Sequence, residues 1–283
     1  MDKFLDFSNT SNIINRDNEI ITLTWCDSAE NHIGMEIIGE KKTSGLDLNH
    51  LLYSKSQFEK RGYKCNLIRL NDFYDNKLFP EDKIPEDAYL LIVKQGAICL
   101  LEYEENKSSI MDNLYKELTS LEWDKKYFDT KKQKVVNKHA RSNLCFSDIS
   151  QKSDYINKKG TIISFDQVKL TNKIRKELPK FIGKIAENLQ CEGNYYFNKN
   201  KCGIGYHGDT ERKIVIGIRI GKMVLKYCWY FNYKPIGKPI TFDLDDGDLY
   251  IMSEKTTGND WKNKSKVTLR HAAGCDKYTT IPM

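Results

Sequence analysis

Apolar residues recur along the 283-residue chain at two periods, and the change of period divides it. Near the start, Glu19-Ile-Ile-Thr-Leu-Thr-Trp25 alternates β-branched and polar residues without a breaker, which predicts a strand. Leu46–Arg61 has helical spacing, opened by Ser44-Gly45 and stopped by Gly62. Cys65–Leu70 reads as a second strand, and Ala88–Val93 with Ala97–Leu101 as a hairpin around Lys94-Gln95-Gly96. Residues 110–123 predict a helix, and Leu170–Leu189 an amphipathic helix interrupted near Pro179. From Gly193 onward, short apolar runs alternate with Gly, Asn, Asp and Pro turns, the pattern of an all-β sandwich or barrel. The expected class is α+β. A polar arm over residues 1–18 opens a small α/β module of unknown role spanning 1–107. A linker falls at 104–109, and the β-rich domain occupies 108–283.

Composition narrows the setting. The net charge of +6, from 45 basic and 39 acidic residues, is mild and permits a polyanionic partner without requiring one. The start of the chain has no apolar core of signal-peptide length, and no apolar run approaches the ~18 residues of a membrane span. A soluble, intracellular protein is expected. Eight cysteines occur without a C-x-x-C pair, so free thiols filling core space are expected rather than disulfides or zinc ligands. Lys125, Lys126, Lys131, Lys132, Lys134, Lys138 and Arg141 form a basic stretch opposed only by Asp124 and Asp129. It reads either as a solvated loop or as a phosphate-contacting surface. Asp27–Met35 is a polar segment whose His32 reads as a loop residue satisfying its own backbone.

Candidate chemistry concentrates in Cys202-Gly-Ile-Gly-Tyr-His-Gly-Asp-Thr-Glu-Arg-Lys213. His207 and Asp209 are two apart, so an extended strand turns both side chains to one face, and Gly208 leaves room on the other. An imidazole beside a carboxylate supplies two of the three ligands of a facial metal site. A single histidine follows, His271, 64 residues beyond His207 at the end of the strand-like Ser265–His271. Three ligands on one face leave the opposite face of the metal open to small molecules. The competing readings are an exposed turn for His207-Gly208-Asp209 and a hydrogen-bonded core residue for His271.

Residues 193–283 resemble the AlkB-like branch of the Fe(II)/2-oxoglutarate dioxygenases. The resemblance rests on Asn194-Tyr195-Tyr196, Gly203-Ile-Gly-Tyr-His-Gly-Asp209, the apolar Ile214–Gly221, Gly247-Asp248 and His271, with a fainter match at Ala140-Arg141-Ser142-Asn143 on the substrate side. It implies a double-stranded β-helix, or jelly roll, with Fe(II) on His207, Asp209 and His271. It further implies that Asn194 and Tyr196 hydrogen-bond 2-oxoglutarate, that O2 is consumed, and that a substrate C–H is hydroxylated or an N-methyl removed. A base in DNA or RNA is the first substrate the resemblance implies. Hydroxylation of a protein side chain and a non-catalytic binding module are the alternatives.

The chain departs from that branch after the distal histidine. The branch places an Arg there to clamp the far carboxylate of 2-oxoglutarate, whereas the 12 residues after His271 contain none. Arg219, inside the otherwise apolar Ile214–Ile220, and Lys277, at the position of the late Lys of prolyl hydroxylases, are the two replacements, while strand alternation turns Arg270 away. Tyr195, Tyr206, Trp229, Tyr230 and Phe231 are candidates for stacking a flipped base and equally for barrel core. Ser253, Glu254, Lys255 and Trp261 are candidates for lining the substrate pocket.

Overall fold

The computed structural model describes residues 18–74, 83–102 and 109–281. The arm expected at the start and nearly all of the linker expected at 104–109 lie outside these residues. In chain order the elements are β1 (Ile20–Cys26), β2 (Ser28–Glu30), β3 (Ile37–Gly39), α1 (Leu48–Glu59), β4 (Cys65–Arg69), β5 (Tyr89–Val93), α2 (Gly96–Leu101) and α3 (Ile110–Thr119). Then follow β6 (Lys126–Asp129), β7 (Lys134–Asn137), β8 (Ser142–Ser147), β9 (Ile162–Ser164), α4 (Lys169–Ile182), β10 (Gln190–Tyr196) and β11 (Gly203–His207). The chain continues through β12 (Val215–Ile220), β13 (Met223–Phe231), β14 (Lys234–Leu244), β15 (Leu249–Met252) and β16 (Thr268–Gly274) to α5 (Asp276–Thr279).

The protein is α+β, with two principal sheets whose strands pair antiparallel except for β8 with β9. The larger sheet has the order β4-β5-β15-β12-β1-β10-β8-β9 and the smaller β11-β16-β13-β14. Alternation gives the larger sheet two distinct faces. Ile21, Leu23 and Trp25 of β1, Ile216, Ile218 and Ile220 of β12, and Leu249 and Ile251 of β15 meet Leu51 and Phe58 of α1, Leu100 of α2, Leu114 and Leu118 of α3, and Ile174 and Phe181 of α4. The opposite face carries Leu90, Ile92, Val215, Tyr250 and Met252, which pack on Leu225, Tyr227, Trp229, Ile240 and Leu269 of the smaller sheet. Helices, larger sheet and smaller sheet thus form three layers. The space between the two sheets, where β10, β1 and β12 face β11 and β16, is left for the site.

The described residues before 107 are built into this arrangement. β1 lies in the middle of the larger sheet, its Ile20–Cys26 register running against Tyr196–Gln190 on one side and against Ile220–Val215 on the other. β5 pairs with β15, so a boundary near residue 107 would separate hydrogen-bonded neighbours.

The expected hairpin at 88–101 is corrected. Tyr89–Val93 is a strand, but Gly96–Leu101 is the helix α2. Gln95 takes a left-handed φ of 54°, its N–H donates to Asp248 Oδ1 at 3.0 Å, and a Cβ on Gly96 would meet Leu249 Cβ at 2.6 Å. A fully buried short helix carries the same unbroken apolar run as a buried strand, so the pattern alone does not separate them. Pro179 lies within α4 rather than interrupting it, and the helix stops at Gly183, φ 104°. The basic stretch forms the β6–β7 hairpin, with Lys126, Lys131, Lys132 and Lys134 exposed. All eight cysteines are free thiols.

Candidate metal centre

β11 and β16 bring the two histidines together, because His207 is the direct cross-strand partner of His271. Their rings lie 4.4 Å apart between centroids. Asp209 stands just past the end of β11, where its backbone N–H donates to Thr257 O at 3.0 Å. The turn between them depends on Gly208: a Cβ there would lie 2.0 Å from Gly258 O and 2.7 Å from Trp261 Cδ1. The room that Gly208 leaves on its far side is therefore filled by the 258–261 segment.

The donor atoms converge. His207 Nε2 is 3.6 Å from Asp209 Oδ1, and His271 Nε2 is 3.7 Å from Asp209 Oδ2. All three ligand atoms lie within 4.8 Å of one another. Ligand atoms ~2.1 Å from one ion and at right angles to each other lie ~3 Å apart, so the two His–Asp distances are each within roughly an ångström of that spacing. His207 Nδ1 sits 2.8 Å from Gly205 O; donation there leaves the Nε2 lone pair facing the centre. Burial, with help from His207 and Arg212, holds His271 well below the usual histidine range, so its imidazole is neutral and able to ligate. Burial raises Asp209, against the pull of Arg212 and His207. Among the described residues no hydrogen bond reaches the Asp209 carboxylate, and His271 Nδ1 is buried without a partner. A divalent cation would supply the counter-charge that this carboxylate lacks. The donor set fits such an ion.

The triad opens into a cavity of about 680 Å³ lined from both sheets. At its base is Arg219, 1% exposed. A guanidinium is charged at any ordinary pH. Its Nη1 donates to Thr22 Oγ1 across the β1–β12 pairing, Nε is buried without a partner, and no carboxylate pairs with it among the described residues. Tyr196, Thr24 and Tyr250 line the same floor. Tyr250 lies across β12 because Gly217 has no side chain: a Cβ would fall 2.0 Å from Tyr250 Cζ.

The other candidates divide. Asn194 lines the cavity, but its Oδ1 already accepts from Arg141 Nε at 2.5 Å and Asn143 Nδ2 at 2.7 Å, and its Nδ2 donates to Glu192 at 2.9 Å. Its polar atoms serve neighbours more than a ligand. Lys277 is exposed on α5, its Nζ 5.4 Å from the Tyr278 ring centre and outside the cavity. Arg270 points to the outer face of the smaller sheet, 4.0 Å from the Tyr230 ring centre and 4.9 Å from that of Trp261.

Tyr195, Tyr206, Trp229, Tyr230 and Phe231 are all absent from the cavity wall. Tyr195 packs on the helix side, and Trp229 is core with Nε1 donating to Leu70 O at 3.1 Å. Of Ser253, Glu254, Lys255 and Trp261, only Trp261 reaches the cavity; Lys255 is spent on Asp260 at 2.6 Å. Sequence reasoning missed Thr22, Thr24 and Tyr250. The polar alternate positions of β1, Thr22 and Thr24 in an otherwise apolar strand, were the available signal for the first two.

The mouth is formed by the β2–β3 flap. Glu30, His32, Ile33 and Ile37 line it, and the His32 ring stacks at 3.6 Å on Tyr127 of the basic β6–β7 hairpin. Burial pushes His32 down to about 4 and Glu30 up to about 7.

Fold and site together define a class: an α+β protein in which two mainly antiparallel sheets enclose a His–Asp–His group beside a buried arginine that no acid pairs with among the described residues. No protein-family model matches the chain. It is 42% identical over 261 residues to "Uncharacterized protein R156" of Acanthamoeba polyphaga mimivirus, covering 92% of this chain and 97% of the relative. The chain belongs to the family of that mimivirus protein.

Proposed function

We propose that this protein is an Fe(II)- and 2-oxoglutarate-dependent oxygenase built on a double-stranded β-helix, acting on a base in DNA or RNA. The observation that carries the reading is the convergence, in one cavity, of a three-ligand metal group with Arg219, a buried cation lacking an acid. An unpaired buried charge costs several kcal/mol. A dicarboxylate chelating the metal through one end and meeting Arg219 with the other answers both needs.

The strand order supports the finer fold. From β10 to β16 the chain alternates between sheets, apart from the β13–β14 hairpin, and pairs as nested Greek keys. Seven strands of the eight-stranded double β-helix follow in sequence. The eighth place, in the larger sheet between β10 and β12, is held by β1. The strand in that place thus comes from the N-terminal part of the chain. It brings Thr22 and Thr24 inward instead of an arginine, and the cation sits one strand over, on β12, directly across from Thr22.

Bound iron with 2-oxoglutarate and O2 supplies the oxidising power to place a hydroxyl on a substrate C–H. The chain's own residues do the rest. Gly205 O fixes the His207 tautomer, and Thr257 O fixes the Asp209 backbone. Arg219, with the Thr22 hydroxyl on one of its nitrogens, would hold the far carboxylate of 2-oxoglutarate. Tyr196 and Tyr250 close the floor and exclude water. The exposed lysines of β6–β7, next to the mouth through the His32–Tyr127 stack, favour a polyanionic substrate.

The test is O2-dependent formation of succinate from 2-oxoglutarate, quantified by mass spectrometry with methylated DNA, methylated RNA and unmodified oligonucleotides. Succinate above a His207→Ala control, stimulated by one oligonucleotide class, is expected. Equal traces from wild type and control would sink the reading.

A further inference from the structure

The cavity holds two further arginines: Arg212 is paired with Glu192 and Glu211, and the setting of Arg141 differs from that of both Arg212 and Arg219. Arg141 is half-buried near the mouth, whereas Arg219 is 1% exposed at the floor. The position of Arg141 is set from one side only. Its Nε donates to Asn194 Oδ1 at 2.5 Å, an oxygen that also accepts from Asn143 at 2.7 Å. Asn143 is 0% exposed and accepts from Lys138 Nζ at 3.0 Å. Lys138 in turn donates to Asn31 Oδ1 at 2.8 Å, and Asn31 is tied to Asp124 at 2.9 Å. Five side chains thus brace one guanidinium. Its two terminal nitrogens have no acceptor among the described residues, and no carboxylate pairs with it there. The nearby Glu192 is already engaged by Arg212 at 2.5 Å. Arg141 lines the same cavity as His32 of the flap and the triad.

We propose that Arg141 reads the substrate: its free terminal nitrogens take an oxyanion of the molecule oxidised at the triad, a phosphate or a carboxylate. This rests on the oxygenase reading above, with Arg219 as the cosubstrate's partner. A braced guanidinium whose planar fork faces a cavity loses little freedom on meeting an oxyanion, and such charge-assisted pairs are the strong ones. The order in depth, cation at the floor and cation near the mouth, matches the order in which cosubstrate and substrate would fill a blind pocket.

The test uses two pairs of probes differing only in the anion: a nucleoside against its 5′-monophosphate, and a tripeptide amide against its free acid. Binding is measured by calorimetry on the full chain loaded with Mn(II) and 2-oxoglutarate. At least one anionic member is expected to bind about tenfold tighter than its neutral twin or more. Arg141→Gln should erase that preference and Arg141→Lys restore part of it, both with wild-type melting and wild-type 2-oxoglutarate affinity. Which pair responds assigns phosphate or carboxylate. No anion preference in the wild type, or a preference that survives in Arg141→Gln, overturns the proposal. Loss of 2-oxoglutarate binding in Arg141→Gln also overturns it and hands Arg141 to the cosubstrate. A wild type that binds neither Mn(II) nor 2-oxoglutarate instead removes the oxygenase reading itself.

Discussion

Arg219 and Lys138 are both cations placed where water does not reach them freely, and the structure treats them differently. Arg219 faces a cavity and lacks an acid, so its guanidinium is expected to serve a ligand more than the fold. Arg219→Gln should weaken 2-oxoglutarate binding by about tenfold to a hundredfold, the worth of a charge-assisted pair. Mn(II) affinity should stay within about twofold, and the melting temperature should not fall, because an unpaired buried charge has been removed. Calorimetry and a thermal melt separate this from a structural role, which would lower melting and spare the cosubstrate. Among the described residues Lys138 is bound only by neutral oxygens of Asn31 and Asn143, and burial lowers it to about 8 although Asp124 pulls the other way. In the unfolded chain a lysine titrates near ~10.4. Between these values the unfolded state holds the proton that the folded state has released, so this group makes stability rise with pH across that window. Below it, the cost of the buried ammonium is fully present. Urea unfolding at steps from about pH 7.5 to 10 should show this rise in the wild type and lose it in Lys138→Met. Parallel curves for the two proteins would count against a lowered Lys138.

β1 shows what can and cannot be read from an element alone. Its alternation made it legible as a strand, and the structure places Ile20–Cys26 there. Its partners were not legible: β10 and β12 lie some 170 to 200 residues away, and strand pairing over that distance leaves no local trace. The same limit hid the link of β5 to β15. Helices fared better where an exposed face kept the period visible, as in α3 and α4, and worse in α2, whose apolar run has no such face. The consequence concerns residues 1–107. A fragment spanning 108–283 lacks β1, and with it the strand that covers β10 and β12 and carries Thr22 and Thr24 into the cavity. It also leaves two long strand edges unpaired, a template for aggregation. That fragment is expected to show no cooperative thermal unfolding by circular dichroism, whereas the full chain does. A fragment with a sharp melt would mean that the two parts are separable after all.

Across the whole molecule, the His207–Asp209–His271 cluster was more legible than the scaffold that presents it. His207 and Asp209 are two apart in the sequence, and His271 was the one histidine left to complete the set. The structure brings all three together by a single cross-strand pair and one turn. Arg219 and Lys277 fitted the sequence equally well as candidate cations; the structure puts Arg219 in the cavity wall and leaves Lys277 exposed on α5. The aromatic candidates lie off the cavity wall for a related reason: alternation says which residues share a face, and only the sheet order says which face meets the cavity. The central claim is that this enclosed group holds iron and thereby a dicarboxylate. Metal-free protein titrated anaerobically with Fe(II), then with 2-oxoglutarate, in a calorimeter tests it most directly. One iron per chain is expected, followed by one 2-oxoglutarate whose binding requires the iron. His271→Ala should lose both, and Lys277→Ala, outside the cavity, should keep both. Folded wild-type protein that takes up no iron, or a His271→Ala variant that takes it up equally well, would contradict the account.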